Sequence, residues 1–415
     1  MSEESIESNA TGARAANLRA RLAAIAAADA AAPDAVESPI RLVRAPGRVN
    51  LIGEYTDVNE GWVLPAAIDR EVWIAFQPWD RAEVQLTSVE LGETLSFSFD
   101  ALSPEHVGAR PWIDYIAGTA WAMREAGLPI RGFRGLLNST IPVGSGLSSS
   151  AAVEMAATWA LADPRAPRPA PSAMALIAQR AENAYMGVQC GIMDQFASAA
   201  GRSGQALLID CRRTEASPVP IPAGLSLVVC DTKARRDRLD ASAYNTRRAE
   251  CELGAELIAE REPGVRTLRD VDEAMFERHR HLLPENVARR CEHIVREDGR
   301  VQATVAALTS GDLAALGRLF AASHASLRDL FEVSCMELDT MVDIATAVPG
   351  VVASRMTGAG FGGCTVSLVR KGAEGALVER VLGDYPARTG ITPEVYVVSA
   401  TDGAGVVTEA SGQDR

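Results

Sequence analysis

Ile141-Pro-Val-Gly-Ser-Gly-Leu-Ser-Ser-Ser-Ala-Ala152 is the stretch on which the reading of this 415-residue chain turns. An apolar run, Gly135 to Ile141, enters it like a strand, and an Ala-rich run leaves it like a helix. Ser148, Ser149 and Ser150 fall where that helix would begin. Glycines let backbone approach an anion closely, and the first helical turn offers unpaired N–H groups and a positive dipole end. The layout predicts a phosphate cradle over Gly144, Ser145, Gly146, Leu147 and the three serines. A Walker A loop needs a lysine directly after its last glycine. The only lysines, Lys233 and Lys371, stand elsewhere. ATP held here would be held without a P-loop lysine.

Upstream, Arg48-Val-Asn-Leu-Ile-Gly-Glu-Tyr-Thr-Asp57 gathers Arg48, Glu54 and Asp57 around Leu51-Ile52. A strand ending at Gly53 would release two carboxylates onto a loop, where each could accept from neighbouring hydroxyls of a polyol. A charged surface turn is the plainer alternative. Downstream, Glu182 lies near the end of a helical run and Asp194 follows in Cys190-Gly-Ile-Met-Asp-Gln195. A helical and a loop carboxylate so placed could serve Mg²⁺ and proton transfer respectively. A helix cap is the plainer reading of Asp194, although its apolar neighbours demand a partner for the charge.

Gly358-Ala-Gly-Phe-Gly-Gly363 matches the dinucleotide fingerprint in form, but Cys364-Thr-Val-Ser-Leu-Val369 after it reads as a strand. A Rossmann loop must open a helix. The run instead predicts a hairpin whose bare backbone closes on a ligand or another loop. The five histidines, His106, His279, His281, His293 and His324, lie outside these motifs and read as surface residues, with no zinc site and no histidine triad.

A formal charge of −13 argues against nucleic acid. Seven dispersed cysteines read as reduced thiols of a cytoplasmic protein. No apolar run approaches the roughly 20 residues a membrane span needs. Residues 1–38 superficially resemble a targeting peptide, but Glu3, Glu4, Glu7 and Asp29 favour a surface helix. Strand-like runs precede the cradle, helices dominate from Ala241, and strands return at Val351–Met356, Cys364–Val369 and Glu394–Val398. This mixture, without regular βαβ alternation, predicts an α+β fold. The Pro218, Pro220, Pro222 cluster suggests a domain junction, giving a 1–38 extension, units 39–219 and 220–402, and a flexible 403–415 tail.

Taken in order, these motifs resemble those of the GHMP kinases, the superfamily of galactokinase, homoserine, mevalonate and phosphomevalonate kinases. Within it the chain is similar to the galactokinases, from about Pro46 to Val398. Pro46–Asp57 resembles the sugar signature, Ile141–Ala152 the ATP loop, Cys190–Gln195 the catalytic segment and Arg355–Gly363 the third motif. Tyr244–Cys251 and Glu332–Asp339 match galactokinases in particular. The resemblance implies an N-terminal domain like domain 2 of ribosomal protein S5, a ferredoxin-like C-terminal domain, and a site in the cleft between. It implies Asp194 as catalytic base, Arg48 as its orienting partner, Ser150 and Glu182 as Mg²⁺ ligands, and Gly144–Ser150 as the triphosphate loop. Glu54, Tyr55, Asp57, Gly191 and Tyr244 would bind the sugar, D-galactose with ATP as co-substrate. Galactokinases usually carry His where Tyr55 stands and Tyr where Val58 stands. A kinase for N-acetylgalactosamine, arabinose or another sugar is therefore the alternative. A non-catalytic regulator that binds ATP and sugar is disfavoured by the intact Asp194, Arg48 and serines. The oligomeric state is left open, and a monomer is compatible with the sequence.

Overall fold

The computed structural model describes residues 3–28, 38–105, 110–142, 144–234 and 241–407. Helix α1 (Glu3–Ala28) precedes strands β1 (Arg41–Asn50), β2 (Trp62–Val63), β3 (Pro65–Pro78), β4 (Glu83–Ser88) and β5 (Glu93–Ser98). Next come α2 (Asp114–Glu125), β6 (Phe133–Ser139), α3 (Ser149–Leu161), α4 (Pro171–Arg180) and α5 (Met193–Ala200). Strands β7 (Gln205–Asp210), β8 (Glu215–Pro220) and β9 (Leu225–Asp231) lead to a helical stretch of α6 (Ala241–Ala259), α7 (Glu273–His279), α8 (Glu285–Ser310), α9 (Leu313–Asp329) and α10 (Met336–Thr346). The chain returns through β10 (Val351–Thr357), β11 (Cys364–Arg370), α11 (Glu374–Thr389), β12 (Glu394–Val398) and β13 (Gly405–Val406).

A six-stranded sheet has the order β13-β1-β3-β6-β4-β5, antiparallel except for the β4–β6 pair. Alternation along β3 explains its two covered faces. Val72, Ile74 and Phe76 enter the main core, whereas Trp73 and Ala75 pack on the other side with Leu42, Leu136 and Leu18 and Leu22 of α1. The guanidinium of Arg14 lies 5.8 Å from the Trp73 ring centroid. A second sheet, β10-β11-β9-β12, is antiparallel throughout. One of its faces joins the main core, and the other, through Val228, Cys230 and Val369, packs with Met341 of α10 and Leu377 and Tyr385 of α11. Strands β2, β7 and β8 form a small third sheet.

The Pro218–Pro220 stretch is an edge strand, β8, paired with β7; prolines are tolerated there because an edge strand needs fewer ladder donors. Two expectations from sequence need correction. The tail expected to be flexible from residue 403 pairs through Val406 and Gly405 with Val43 and Arg44 of β1, while residues 408–415 lie outside the described ones. Two of the histidines are not on the surface. His293 is fully buried, bonded to Ser326 and the Glu54 carbonyl, and burial lowers its pKa to about 4. His324 is buried with Nδ1 accepting from the Met356 amide and Nε2 3.1 Å from Asp339. His106 lies outside the described residues. Among the described residues no helix is long and apolar enough to cross a membrane.

Candidate active site

One cavity of about 340 Å³ collects the motifs, lined by Arg48, Glu54, Tyr55, Asp57, Gly144, Gly146, the three serines, Glu182, Gly191, Asp194 and Tyr244. Val188, Cys190, Met193, Gly358 and Ala359 complete the wall. Of the sequence-predicted residues, Ser145 and Leu147 do not face it. The Ser145 hydroxyl bonds to the Pro142 carbonyl at 2.8 Å, and the Leu147 side chain is in the main core. The Leu147 carbonyl instead accepts from the Arg48 amide at 3.1 Å. A Cβ on Gly47 would stand 2.6 Å from that oxygen, so only glycine lets β1 seat the loop this closely.

Asp194 occupies the first turn of α5, a helix that the sequence reading took for loop. Arg48 grips it through two parallel bonds, Nε to Oδ1 at 2.8 Å and Nη2 to Oδ2 at 2.7 Å, while Nη1 reaches the Gly146 carbonyl at 2.7 Å. A fork on a carboxylate fixes orientation as well as charge. Ser148 Oγ also donates to Asp194, and Ser198 of α5 bonds to the Pro46 carbonyl at 2.7 Å. The carboxylate is thereby registered against both β1 and the loop.

Gly144, Gly146 and Ser148 all have left-handed backbone, with φ of 73°, 82° and 60°. This curls the loop so that α3 starts at Ser149, with Ser149 and Ser150 of its first turn lining the cavity. Glu182 faces them from a π-helical turn, Ala181–Met186, that ends at left-handed Gly187. Its pKa is raised by burial and then by Asp194, with hydrogen bonds from Ser150, Cys190 and Gln195 opposing. Gln195 Nε2 bridges Glu182 at 2.6 Å and Glu154 at 3.0 Å.

Glu154 was missed in the sequence. It is fully buried in α3, and burial followed by Glu182 pushes its pKa well up. The signal was available: Glu154 is the lone charge in an Ala-rich run and lies four residues, one turn, beyond Ser150.

At the other end, Glu54 is 1 % exposed and accepts from the Gly358 amide at 3.1 Å while pairing with Arg355. Burial raises its pKa, with Arg355 opposing. Asp57 faces the cavity and is half-buried, and desolvation, then Asp194, raises its pKa to about 6. A Cβ on Gly191 would stand 2.0 Å from Asp57 Oδ2, so glycine there makes room for the carboxylate. Tyr55, at φ 66°, donates its hydroxyl to the Ala359 carbonyl at 2.6 Å. Its ring stacks on Tyr244 at 5.2 Å and tilts against Phe331 at 4.5 Å. The late glycine run is the β10–β11 hairpin turn, and it closes on this site through Gly358 and Ala359.

Three family-wide sequence patterns match: the galactokinase galactose-binding signature over residues 35–78, the GHMP kinases N terminal domain over 114–202, and the GHMP kinases C terminal domain over 304–387. The chain is 44% identical over 369 residues to a galactokinase of Roseiflexus sp. (strain RS-1), covering 89% of this chain and 93% of the relative. A galactokinase of Chloroflexus aggregans is likewise 44% identical over 368 residues, with the same coverage. The solved structure of Lactococcus lactis galactokinase complexed with galactose superposes with a TM-score of 0.83 at 32% identity, over 88% of this chain and 95% of that one. The Methanococcus jannaschii mevalonate kinase, at TM-score 0.63 and 18% identity over 88% of this chain and all of its own, shares the fold.

Proposed function

The chain belongs to the galactokinase family of GHMP kinases, and for its reaction, ATP-dependent phosphorylation of galactose, we propose the following division of labour. Asp194 takes the proton of the anomeric hydroxyl, whose oxygen attacks the γ-phosphoryl group in line. Arg48 holds Asp194 in place and offsets charge that builds on the transferred group. The amides of Gly144–Ser150 and the α3 N-terminus cradle the phosphates. Glu54 and Asp57 accept sugar hydroxyls, the Gly191 backbone closes on the same side, and Tyr55 and Tyr244 supply an aromatic wall.

The surroundings of Glu182 suit a divalent cation. Glu182 and Asp194 add to burial in raising the proton affinity of Glu154, Asp194 does the same for Glu182, and the buried Glu154 Oε1 has no hydrogen-bond partner among the described residues. Among the described residues no three His, Cys, Asp or Glu side chains converge as a complete ligand set. This fits Mg²⁺, which takes one or two protein oxygens and completes its shell with phosphate and water. Ser150 and Glu182 would hold it, and when bound it would neutralise phosphate charge.

We place an N-terminal unit at 39–219 and a C-terminal unit at 220–402, supported by β8, which ends at Pro220, and β9, which begins at Leu225, entering different sheets. Seven free cysteines support a reducing, cytoplasmic setting. The observation that carries the catalytic reading is Asp194, clamped by Arg48 between the α3 N-terminus and the Glu54–Asp57 pair. Its test is ADP release measured over a panel of free sugars. Galactose should exceed glucose clearly. Faster turnover of N-acetylgalactosamine or arabinose would overturn the substrate, and absence of turnover with any sugar would overturn catalysis.

A further inference from the structure

Arg355 lies on β10, some three hundred residues from the sugar motif, and has 0 % exposure. It does not line the cavity. Its guanidinium pairs with Glu54, and Nη1 donates to the Leu51 carbonyl at 3.0 Å. Glu297 of α8 stands behind, its Oε1 3.9 Å from Nη2, and is itself fixed by the Gly53 amide at 3.1 Å, by Ser323 and by Arg300 at 2.5 Å. Two residues on, Thr357 exchanges bonds with the Asn50 amide at 2.9 Å and carbonyl at 3.0 Å. The turn that leaves β1 within the sugar motif is thus fastened at Asn50, Leu51, Gly53 and Glu54 to β10 and its neighbouring helices.

Stability alone explains Arg355 poorly. A buried ion pair is often no more stabilising than apolar side chains of similar volume, and its neighbours Ala353 and Met356 show that β10 accepts these. What such a pair does well is fix a direction. Glu54 lines the cavity while its Oε1 accepts from the Gly358 amide and its Oε2 meets the Arg355 guanidinium, so both carboxylate oxygens are directed by groups of the third motif.

We propose that Arg355 is a positioning residue for sugar recognition: it aims the Glu54 carboxylate at the cavity without touching the sugar. The inference rests on the reading of Glu54 as a hydroxyl acceptor, and the test separates the two. Lysine keeps the charge but loses the fork. Arg355→Lys should raise the KM for galactose roughly tenfold, the loss of about one well-aligned charged hydrogen bond. The KM for ATP should stay within about twofold, and the preference for galactose over glucose should narrow. In a Glu54→Gln background the same substitution should have little further effect on the galactose KM, because residues acting through one another are not additive.

A merely structural Arg355 would lower the melting temperature or kcat and leave the ratio of the two KM values unmoved, and that result overturns the inference. So does an Arg355→Lys effect of equal size with and without Glu54→Gln. A galactose KM unchanged in Glu54→Gln alone overturns the reading of Glu54 and the inference with it. Should Arg355→Lys not fold, Arg355→Gln/Glu297→Gln removes one buried cation and one buried anion together and is judged by the same ratio.

Discussion

The two ends of the cavity are built differently. The phosphate end is assembled from β1, the loop before α3, and α5, all within the first two hundred residues, and its charges are met in pairs by short bonds such as Arg48–Asp194. The sugar end is walled by one turn, residues 53–57, which is held at Gly53, Glu54 and Tyr55 from α8, β10 and the β10–β11 hairpin. On the proposed assignment, the phosphoryl chemistry sits on local structure. Recognition of the sugar, on the same assignment, rests on long-range contacts. A change at the phosphate end should therefore act on turnover, and one at the sugar end on affinity and discrimination.

The largest effect expected is that of Asp194→Asn. It keeps the shape and removes the proton acceptor, so kcat should fall by about 10²–10⁴ with the melting temperature nearly unchanged. Near-normal kcat would show that the base lies elsewhere and would break the comparison at its first term. Next come Glu182→Gln and Ser150→Ala. Each should raise the Mg²⁺ concentration for half-maximal activity, by roughly 10–100-fold if it reports loss of a metal contact, with the galactose KM little moved. A Mg²⁺ titration unaltered by either substitution removes both residues from the coordination shell.

The same division explains what could be read in the sequence. The strand–loop–helix layout was legible because its parts are contiguous, and all three serines of the loop line the cavity. Arg48 and Asp194 could be named, but not their fork, since nothing local joins residues 146 positions apart. Glu154 could have been found from its i,i+4 spacing to Ser150, but its bridge to Glu182 runs through Gln195, a residue of another helix. Burial of His293 and His324 was missed because their partners, the Glu54 carbonyl and the Met356 amide, come from distant segments. Strand β8 was hidden by its prolines, which signal a turn unless the strand lies at an edge. Tyr55 could be named as part of the sugar signature, but not the bond from its hydroxyl to the Ala359 carbonyl, which comes from a distant segment.

Asp57 sharpens the comparison through pH. Its carboxyl, raised to about 6 from an ordinary 3.8, should bind sugar hydroxyls best when ionised. The galactose KM should rise as pH falls below about 6, and Asp57→Ala should raise it ~10-fold at neutral pH while narrowing the margin over glucose. Linkage gives stability the opposite sign. Between pH 3.8 and about 6 the folded state binds more protons than the unfolded one, so this group's contribution is full at low pH and lost as pH rises through about 6. Asp57→Asn should then melt higher than wild type at pH 8 and show no such gain below about pH 4. A gain that persisted at low pH would show that the ionised carboxylate is not the cost.

Tyr55→Phe should have the smallest effect, and it bears most directly on how the sugar end is held together. Tyr55 is a bulky residue at φ 66°, a backbone conformation that side chains of its size avoid. Two interactions offset that strain: the ring packed between Tyr244 and Phe331, and the hydroxyl bond that ties the sugar motif to the third glycine-rich turn. Phenylalanine keeps the first and deletes the second, leaving the Ala359 carbonyl to find another donor. A neutral hydrogen bond of this kind is worth about 1 kcal/mol. The galactose KM should therefore rise by no more than about fivefold, with kcat and the KM for ATP nearly constant. Hydrogen exchange at the amides of residues 358–363 should speed up in parallel, since the turn loses a fastening. A fall in kcat larger than the rise in galactose KM would mean that this turn governs the phosphate end as well, and the separation between the two ends would not hold.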